Sequence, residues 1–283
     1  MTDRDTATSR DGTTIAYDVV GDGPGIVLVP GALHSGRHYG ALARCLADAF
    51  TVYCVDRRGR PGSGSQRLDH GIKVECDDLI AVLEKTGATV VFGHSSGAVV
   101  ALQTALRHPI EKLAVYEPPV QINGSVPSSF MPAFERALAA GRKPDALAIL
   151  GKGLHADRKV DKLPTFALKL LMRLASRGAT PELRGLIEAT PTFPAEHRMI
   201  TGLDPIAYQR LDSETLILLG DRSPEYLAGA ATFLADNVPS AQFVVLPGLD
   251  HSGPEQQPPH RVARELRAFF APTAPSPPHP HKK

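Results

Sequence analysis

Six short apolar runs recur along the chain at strand length, and each is nearly free of charge. They are GIVLVPG (25–31), FTVYCVD (50–56), TVVFG (89–93), KLAVYE (112–117), TLILLGD (215–221) and AQFVVLPG (241–248). Rich in β-branched residues and lacking polar alternation, they read as strands buried on both faces, the mark of a parallel sheet covered by helices. Segments of helical period lie between them, at about 37–49, 73–86, 96–107, 225–237 and 259–270. Alternating strand and helix predict right-handed β-α-β units and an open α/β sheet. Ahead of these runs, TTIAYDVVG (13–21) follows the turn pair Asp11-Gly12. The polar run before that pair is expected to be the other arm of a hairpin.

The alternation stops between 118 and 213, where only helical patterns occur, such as SFMPAFERALAAGR and LPTFALKLLMRLASR, broken by Pro127, Pro144, Pro164, Pro181, Pro191 and Pro194. This predicts a helical cap, 118–213, inserted into an α/β domain built from 1–117 and 214–270. Phe130, Met131, Phe134, Leu138, Phe166, Leu170, Leu171, Met172 and Leu174 recur in it at helical spacing. Most are expected to pack the cap onto the sheet domain, and a few, Phe130 and Met131 foremost, to face a pocket. The Pro-rich tail APTAPSPPHPHKK (271–283) cannot form a packed core and is expected to be disordered.

Composition narrows the partners. Lys and Arg number 31 against 30 Asp and Glu, so the basic excess that nucleic-acid binding demands is missing. No apolar run approaches the roughly 18–20 residues of a membrane span, and the first residues, MTDRDTATSRDGTT, carry no apolar signal core. The three cysteines, Cys45, Cys54 and Cys76, have no paired spacing; free thiols in a reducing, cytoplasmic compartment are expected. No His-x-x-x-His or Cys-x-x-Cys occurs, and neither a metal nor a cofactor is expected. DRRGRPGSG (56–64) is basic and Gly-rich but lacks the Gly-Lys-Ser/Thr of a phosphate loop.

The chemistry concentrates in VVFGHSSGAVVAL (90–102), where Gly93-His94-Ser95-Ser96-Gly97 joins a predicted strand to a predicted helix. A serine hydroxyl becomes a useful nucleophile when it stands clear of the backbone, with a base on one side and N–H donors on the other. A sharp strand-to-helix turn achieves this at a cost in backbone strain, and glycines at 93 and 97 relieve the crowding. The helix that begins here also directs its free N–H groups toward the reacting oxygen.

Taken with VLVPGALHSG (27–36), VDRRGRPGSG (55–64) and VVLPGLDHS (244–252), this stretch resembles the α/β-hydrolase superfamily, in particular its small cap-bearing, serine esterase-like members. The resemblance covers about residues 7–270. It implies Ser95 as nucleophile and the backbone N–H groups of Ser96 and Ala32 as an oxyanion hole, with His34 and His94 as neighbours of the pocket. The family order of serine, acid, histidine makes His251 the base. The acid is displaced: the register after TLILLG puts Ser223 where most members carry Asp. Some members, the haloalkane dehalogenases among them, place the acid at the end of the strand that follows the nucleophile helix. That position holds Glu117, a charge closing the apolar run LAVY, where burial without a partner would be costly. Glu117 is therefore the first choice, Asp221 the runner-up and Asp250 the third.

Ser at 95 excludes the aspartyl-nucleophile chemistry of dehalogenases and epoxide hydrolases on this scaffold. The reading is a serine hydrolase that cleaves a small or medium carboxylic ester or lactone with an apolar body. Two alternatives stay open: the same fold used for acyl transfer, cyclisation or C–C hydrolysis, and a binding protein with a degenerate triad.

Overall fold

The computed structural model describes residues 3–67, 69–155, 162–256 and 258–271. Its strands are β1 (Asp3–Thr8), β2 (Thr14–Val20), β3 (Gly25–Val29), β4 (Thr51–Val55), β5 (Val90–His94), β6 (Lys112–Tyr116), β7 (Glu214–Gly220) and β8 (Ala241–Leu246). They form an eight-stranded sheet in the order β1-β2-β4-β3-β5-β6-β7-β8. The β1–β2 hairpin and the β2–β4 pair are antiparallel; every other pairing is parallel. The helices are α1 (Gly40–Leu46), α2 (Ile72–Thr86), α3 (Ser96–Ala105), α4 (Met131–Ala139), α5 (Lys143–Gly153), α6 (Thr165–Arg177), α7 (Pro181–Ala189), α8 (Phe193–Thr201), α9 (Glu225–Asn237) and α10 (Pro259–Phe270).

Strand alternation divides the core. Val27, Val29, Val91, Leu113, Val115 and Ile217 pack with α2, α3 and α9 on one face, while Ile26, Leu28, Phe92, Ala114, Tyr116 and Leu218 pack with α1 and α10 on the other. Both faces of the central strands are thus apolar, as their runs predict. β8 departs from that expectation. Phe243 and Val245 are 39% and 45% exposed, because β8 is the edge strand and pairs only with β7. β3 has β4 on one side and β5 on the other, so the loops leaving β3 and β5 diverge, and open sheets of this kind place ligands at such a divergence.

The described residues between β6 and β7 form helices and no strand. α4, α5 and α7 enclose a small core of Phe130, Phe134, Ala137, Ala146, Ile149, Leu150 and Phe193, which closes on Leu33 of the loop after β3. Helical spacing misplaced α6. Phe166, Leu170, Leu171 and Leu174 are 76%, 56%, 52% and 50% exposed, so they pack neither on the sheet domain nor into a pocket. Only Leu168 of this helix is fully buried; a single row of side chains meets the neighbouring α5, and the opposite apolar row faces outward. The Pro-rich tail, 271–283, lies outside the described residues from 272 onward. None of the described helices is long and apolar enough to cross a membrane.

α3 is seated by contact at its first turn. A Cβ on Gly97 would lie 2.3 Å from the Pro30 carbonyl oxygen and 2.4 Å from that of Val29; one on Gly93 would lie 2.6 Å from the Ala98 Cα. Gly97→Ala is expected to cost about 2 kcal/mol through overpacking against backbone that has no room to yield. Gly229→Ala in α9, where a Cβ meets nothing within 4 Å, is the control and should be neutral or stabilising by about 0.5–1 kcal/mol. Urea unfolding reads both, and equal effects would contradict this account of the turn.

Candidate active site

Ser95 directly follows β5 in a strained conformation, φ 53° and ψ −124°, immediately before α3. Its N–H donates to the Tyr116 carbonyl at 2.9 Å, and the Glu117 N–H donates to the Leu218 carbonyl at 3.0 Å. Each strand therefore holds the residue just beyond its neighbour's end. Glu117 also has a positive φ of 50°, and Leu33, in the loop after β3, has a φ of 65°. Left-handed backbone at a bulky residue costs about 1–3 kcal/mol and persists where surrounding structure enforces it. Three such residues converge on one end of the sheet.

The side chains form a continuous chain. Ser95 Oγ is 3.0 Å from His251 Nε2, and His251 Nδ1 is 2.7 Å from Glu117 Oε2. Glu117 is fully buried. Its other oxygen accepts the Gly220 N–H at 2.7 Å and the Ser223 hydroxyl. Burial alone would raise the Glu117 carboxyl, but the hydrogen bond and charge of His251, with those of Ser223 and Gly220, outweigh it and hold the group below the usual carboxylate value. Burial likewise pushes the His251 imidazole down, yet the Glu117 hydrogen bond and charge prevail and it stands above the ordinary histidine value. Asp221 is elsewhere: its carboxylate accepts the Gly248 N–H at 2.6 Å. Asp250 accepts the N–H of Ser252 at 2.9 Å. The structure brings Glu117, not Asp221 or Asp250, to His251.

The cavity above Ser95 has a volume of about 60 Å³, and Ala32, Ser95, Ser96 and His251 line one side of it. Leu154, Phe193, His197 and Ile200 reach it from the helical insertion, and Tyr226 and Leu227 from α9. Ser96 is the first residue of α3, so its N–H has no acceptor within the helix. Phe130 and Met131, expected at the pocket, stand behind it. Phe130 packs in the insertion's own core with its ring centroid 6.2 Å from that of Phe193, which does line the cavity, and Met131 leans on the same core. The ring that reaches the pocket is Phe193 at the start of α8, not Phe130 or Met131 at the start of α4. His34 and His94 do not line the cavity either. The His94 ring lies 4.7 Å from that of His251, and His34 contacts Glu255 at 2.8 Å.

Beneath the turn that carries Ser95 is a buried ionic network that motif reading missed. Arg57 donates to Glu75 through Nε at 2.9 Å and Nη2 at 2.7 Å, and through Nη1 to the Ser96 hydroxyl at 2.8 Å and to Glu196 at 3.0 Å. Arg60 reaches the other Glu196 oxygen at 2.7 Å. Glu196 belongs to α8, so the network ties the insertion to the loop after β4 and to the turn carrying Ser95. Burial would raise the Glu196 carboxyl, but the charges of Arg57 and Arg60 keep it below its ordinary value. Among the described residues no group of three or more His, Cys, Asp and Glu is placed to hold a metal ion.

Comparison with known proteins gives a consistent result. A model described as the Alpha/beta hydrolase family matches residues 26–265. An alpha/beta hydrolase from Sphaerobacter thermophilus is 32% identical, with a TM-score of 0.78 over 94% of this chain and 100% of that one. An esterase from Exiguobacterium antarcticum, 18% identical, shares the fold at a TM-score of 0.71, covering 93% of this chain and 98% of that one. The uncharacterized hydrolase YraK of Bacillus subtilis is 39% identical over 102 residues, which is 35% of this chain. That match spans only 38% of YraK's length.

Removing one partner from a buried ionic cluster leaves a desolvated charge uncompensated, at a cost of about 3 kcal/mol or more. Glu196→Gln is expected to lose about that much in urea unfolding, since it leaves Arg60 facing no carboxylate at this point. A loss below about 0.5 kcal/mol, the size of a surface change, would mean that the network does not hold the insertion down.

Proposed function

The chain belongs to the alpha/beta hydrolase family, and on that footing we propose that it is a serine hydrolase of small carboxylic esters or lactones, acting through an acyl-enzyme on Ser95. The observation that carries this reading is the unbroken Ser95–His251–Glu117 hydrogen-bonded chain, 3.0 Å and 2.7 Å long at its two links, at the floor of a cavity.

In this mechanism Ser95 Oγ attacks the substrate carbonyl carbon while His251 Nε2 takes its proton. The negative charge that builds on the carbonyl oxygen is met by the N–H groups of Ala32 and Ser96. His251 returns the proton to the departing alkoxide, and the C–O bond breaks to leave the acyl group on Ser95. A water molecule, deprotonated by His251, then attacks the acyl carbon; the acid leaves and Ser95 regains its proton. Glu117 accepts the Nδ1–H throughout, which selects the tautomer with a free Nε2 lone pair and stabilises the imidazolium formed in each step.

The helical insertion serves as the cap, supplying Leu154, Phe193, His197 and Ile200 to the roof. The cavity is small, about 60 Å³, which favours an acyl chain of a few carbons with an apolar body. Its lining offers few polar anchors.

A fluorophosphonate probe is expected to label the wild type and not Ser95→Ala, and a chromogenic ester series is expected to lose turnover as the acyl chain lengthens beyond a few carbons. Labelling that persists in Ser95→Ala would sink the assignment, and absence of labelling in the wild type would favour a binding protein instead.

The pH profile gives a second test. His251 must be neutral to act as base, so kcat/KM should rise through a midpoint above the ordinary histidine value, the direction in which Glu117 moves the ring. Glu117→Gln should shift that midpoint downward and lower kcat by about 10⁴-fold, as a wrong-tautomer histidine does. An unshifted limb in Glu117→Gln, or inactivity of Asp221→Asn alone, would assign the acid elsewhere.

A further inference from the structure

Behind the cavity, Glu255 lies four residues after His251 with its side chain 6% exposed, and the mechanism above does not use it. Its Oε2 is 2.8 Å from His34 Nε2. The other ring nitrogen of His34, Nδ1, is 2.9 Å from the Ala32 carbonyl oxygen. A carbonyl oxygen can only accept, and so can an ionised carboxylate. Both ring nitrogens therefore face oxygens that can only accept, an arrangement that a doubly protonated ring satisfies in full. Glu255 meets the other condition: burial would raise its carboxyl, but the His34 charge and the hydrogen bonds of His34 and His94 hold it well below the ordinary value.

The same carboxylate reaches the far side of Ala32. Its Oε1 is 3.1 Å from His94 Nδ1 and 3.3 Å from the Tyr39 hydroxyl, which lies 2.6 Å from His94 Nδ1. The Tyr39 oxygen accepts the Gly31 N–H at 3.0 Å, and the His34 N–H donates to the Gly31 carbonyl at 3.3 Å. Three successive peptide groups around Ala32 are therefore held, including the one that carries its N–H. The charged and titratable groups packed on His34 are Glu255 from the turn after β8, His94 from the end of β5, His38 and Tyr39 from its own segment, and Arg60, which donates to the His34 carbonyl at 3.2 Å.

We propose that His34 and Glu255 form an imidazolium–carboxylate clamp that orients the Ala32 N–H toward the reacting carbonyl oxygen. His34 and Glu255 are positioning residues: they act through the loop backbone and do not touch substrate. Because Glu255 shares a short segment with His251, the clamp also sets the spacing between the base and the oxyanion loop. Its catalytic consequence rests on the serine-hydrolase reading; the ring protonation does not.

The test uses the full-length chain labelled with ¹⁵N-histidine, His34→Gln to assign the ring signals, and Glu255→Gln. In the wild type at pH 7, both ring nitrogens of His34 are expected to carry protons. In Glu255→Gln the second proton should be lost, and kcat on a short chromogenic ester should fall about tenfold with KM within about twofold, a smaller loss than removal of an oxyanion donor. A singly protonated, neutral His34 in the wild type overturns the clamp whether or not the variant folds. Wild-type kcat in a folded Glu255→Gln overturns its positioning role. A wild type inert to fluorophosphonate would instead overturn the hydrolase reading while the ring protons still decide the clamp, so the two failures are distinguishable.

Discussion

A carboxylate with no access to water is the constraint around which this molecule is arranged. Glu117 is fully buried, and withdrawing a carboxylate from water costs several kcal/mol unless its lone pairs are met. His251 meets one oxygen; Gly220 N–H and the Ser223 hydroxyl meet the other. Each of those partners depends on sheet register. Gly220 ends β7 beside β6, and His251 follows β8 at the edge. Desolvation makes the imidazole a requirement of the fold, and the same ring faces Ser95.

Around that pair, preorganisation comes from two sources with different physics. At Ser95 it is steric: α3 sits so close to β3 that only glycine fits at 97, and the tight turn leaves Ser95 with a left-handed backbone. At the loop after β4 and the helical insertion it is ionic. Arg57, Arg60, Glu75 and Glu196 neutralise one another out of water beneath Ser96. Such clusters add little net stability compared with apolar packing, but they penalise any arrangement in which one member is left alone. In the proposed mechanism, where N–H donors must stay aimed, that penalty is an advantage.

Much of the fold was legible because it follows from local pattern. Apolar runs of strand length alternating with helical periods lead to the parallel sheet, and Asp11-Gly12 leads to the hairpin. Ser95 stands out by its glycine frame and Glu117 by being a charge at the end of an apolar run. Ser223 was read only as the place where an acid is missing, yet its hydroxyl reaches the acid that stands elsewhere. What local pattern does not carry is pairing across distance. Periodicity marks Phe130 and Phe166 as apolar without saying what covers them; one is core and the other faces outward. Arg57 and Glu196 are 139 residues apart, and His34 and Glu255 lie on different loops, so nothing in their neighbourhoods announces a partner. The one visible signal was chemical: DRRGR places charges directly beside the end of the apolar strand β4, where they must be neutralised or exposed.

The most direct measurement of the central pairing is the far-downfield proton spectrum of the wild type, Glu117→Gln and Asp221→Asn. A histidine N–H shared with a buried carboxylate is strongly deshielded, so the His251 Nδ1 proton should give its own resonance. The account predicts that this signal survives in Asp221→Asn and vanishes in Glu117→Gln. Its persistence in Glu117→Gln, with loss in Asp221→Asn, would contradict it.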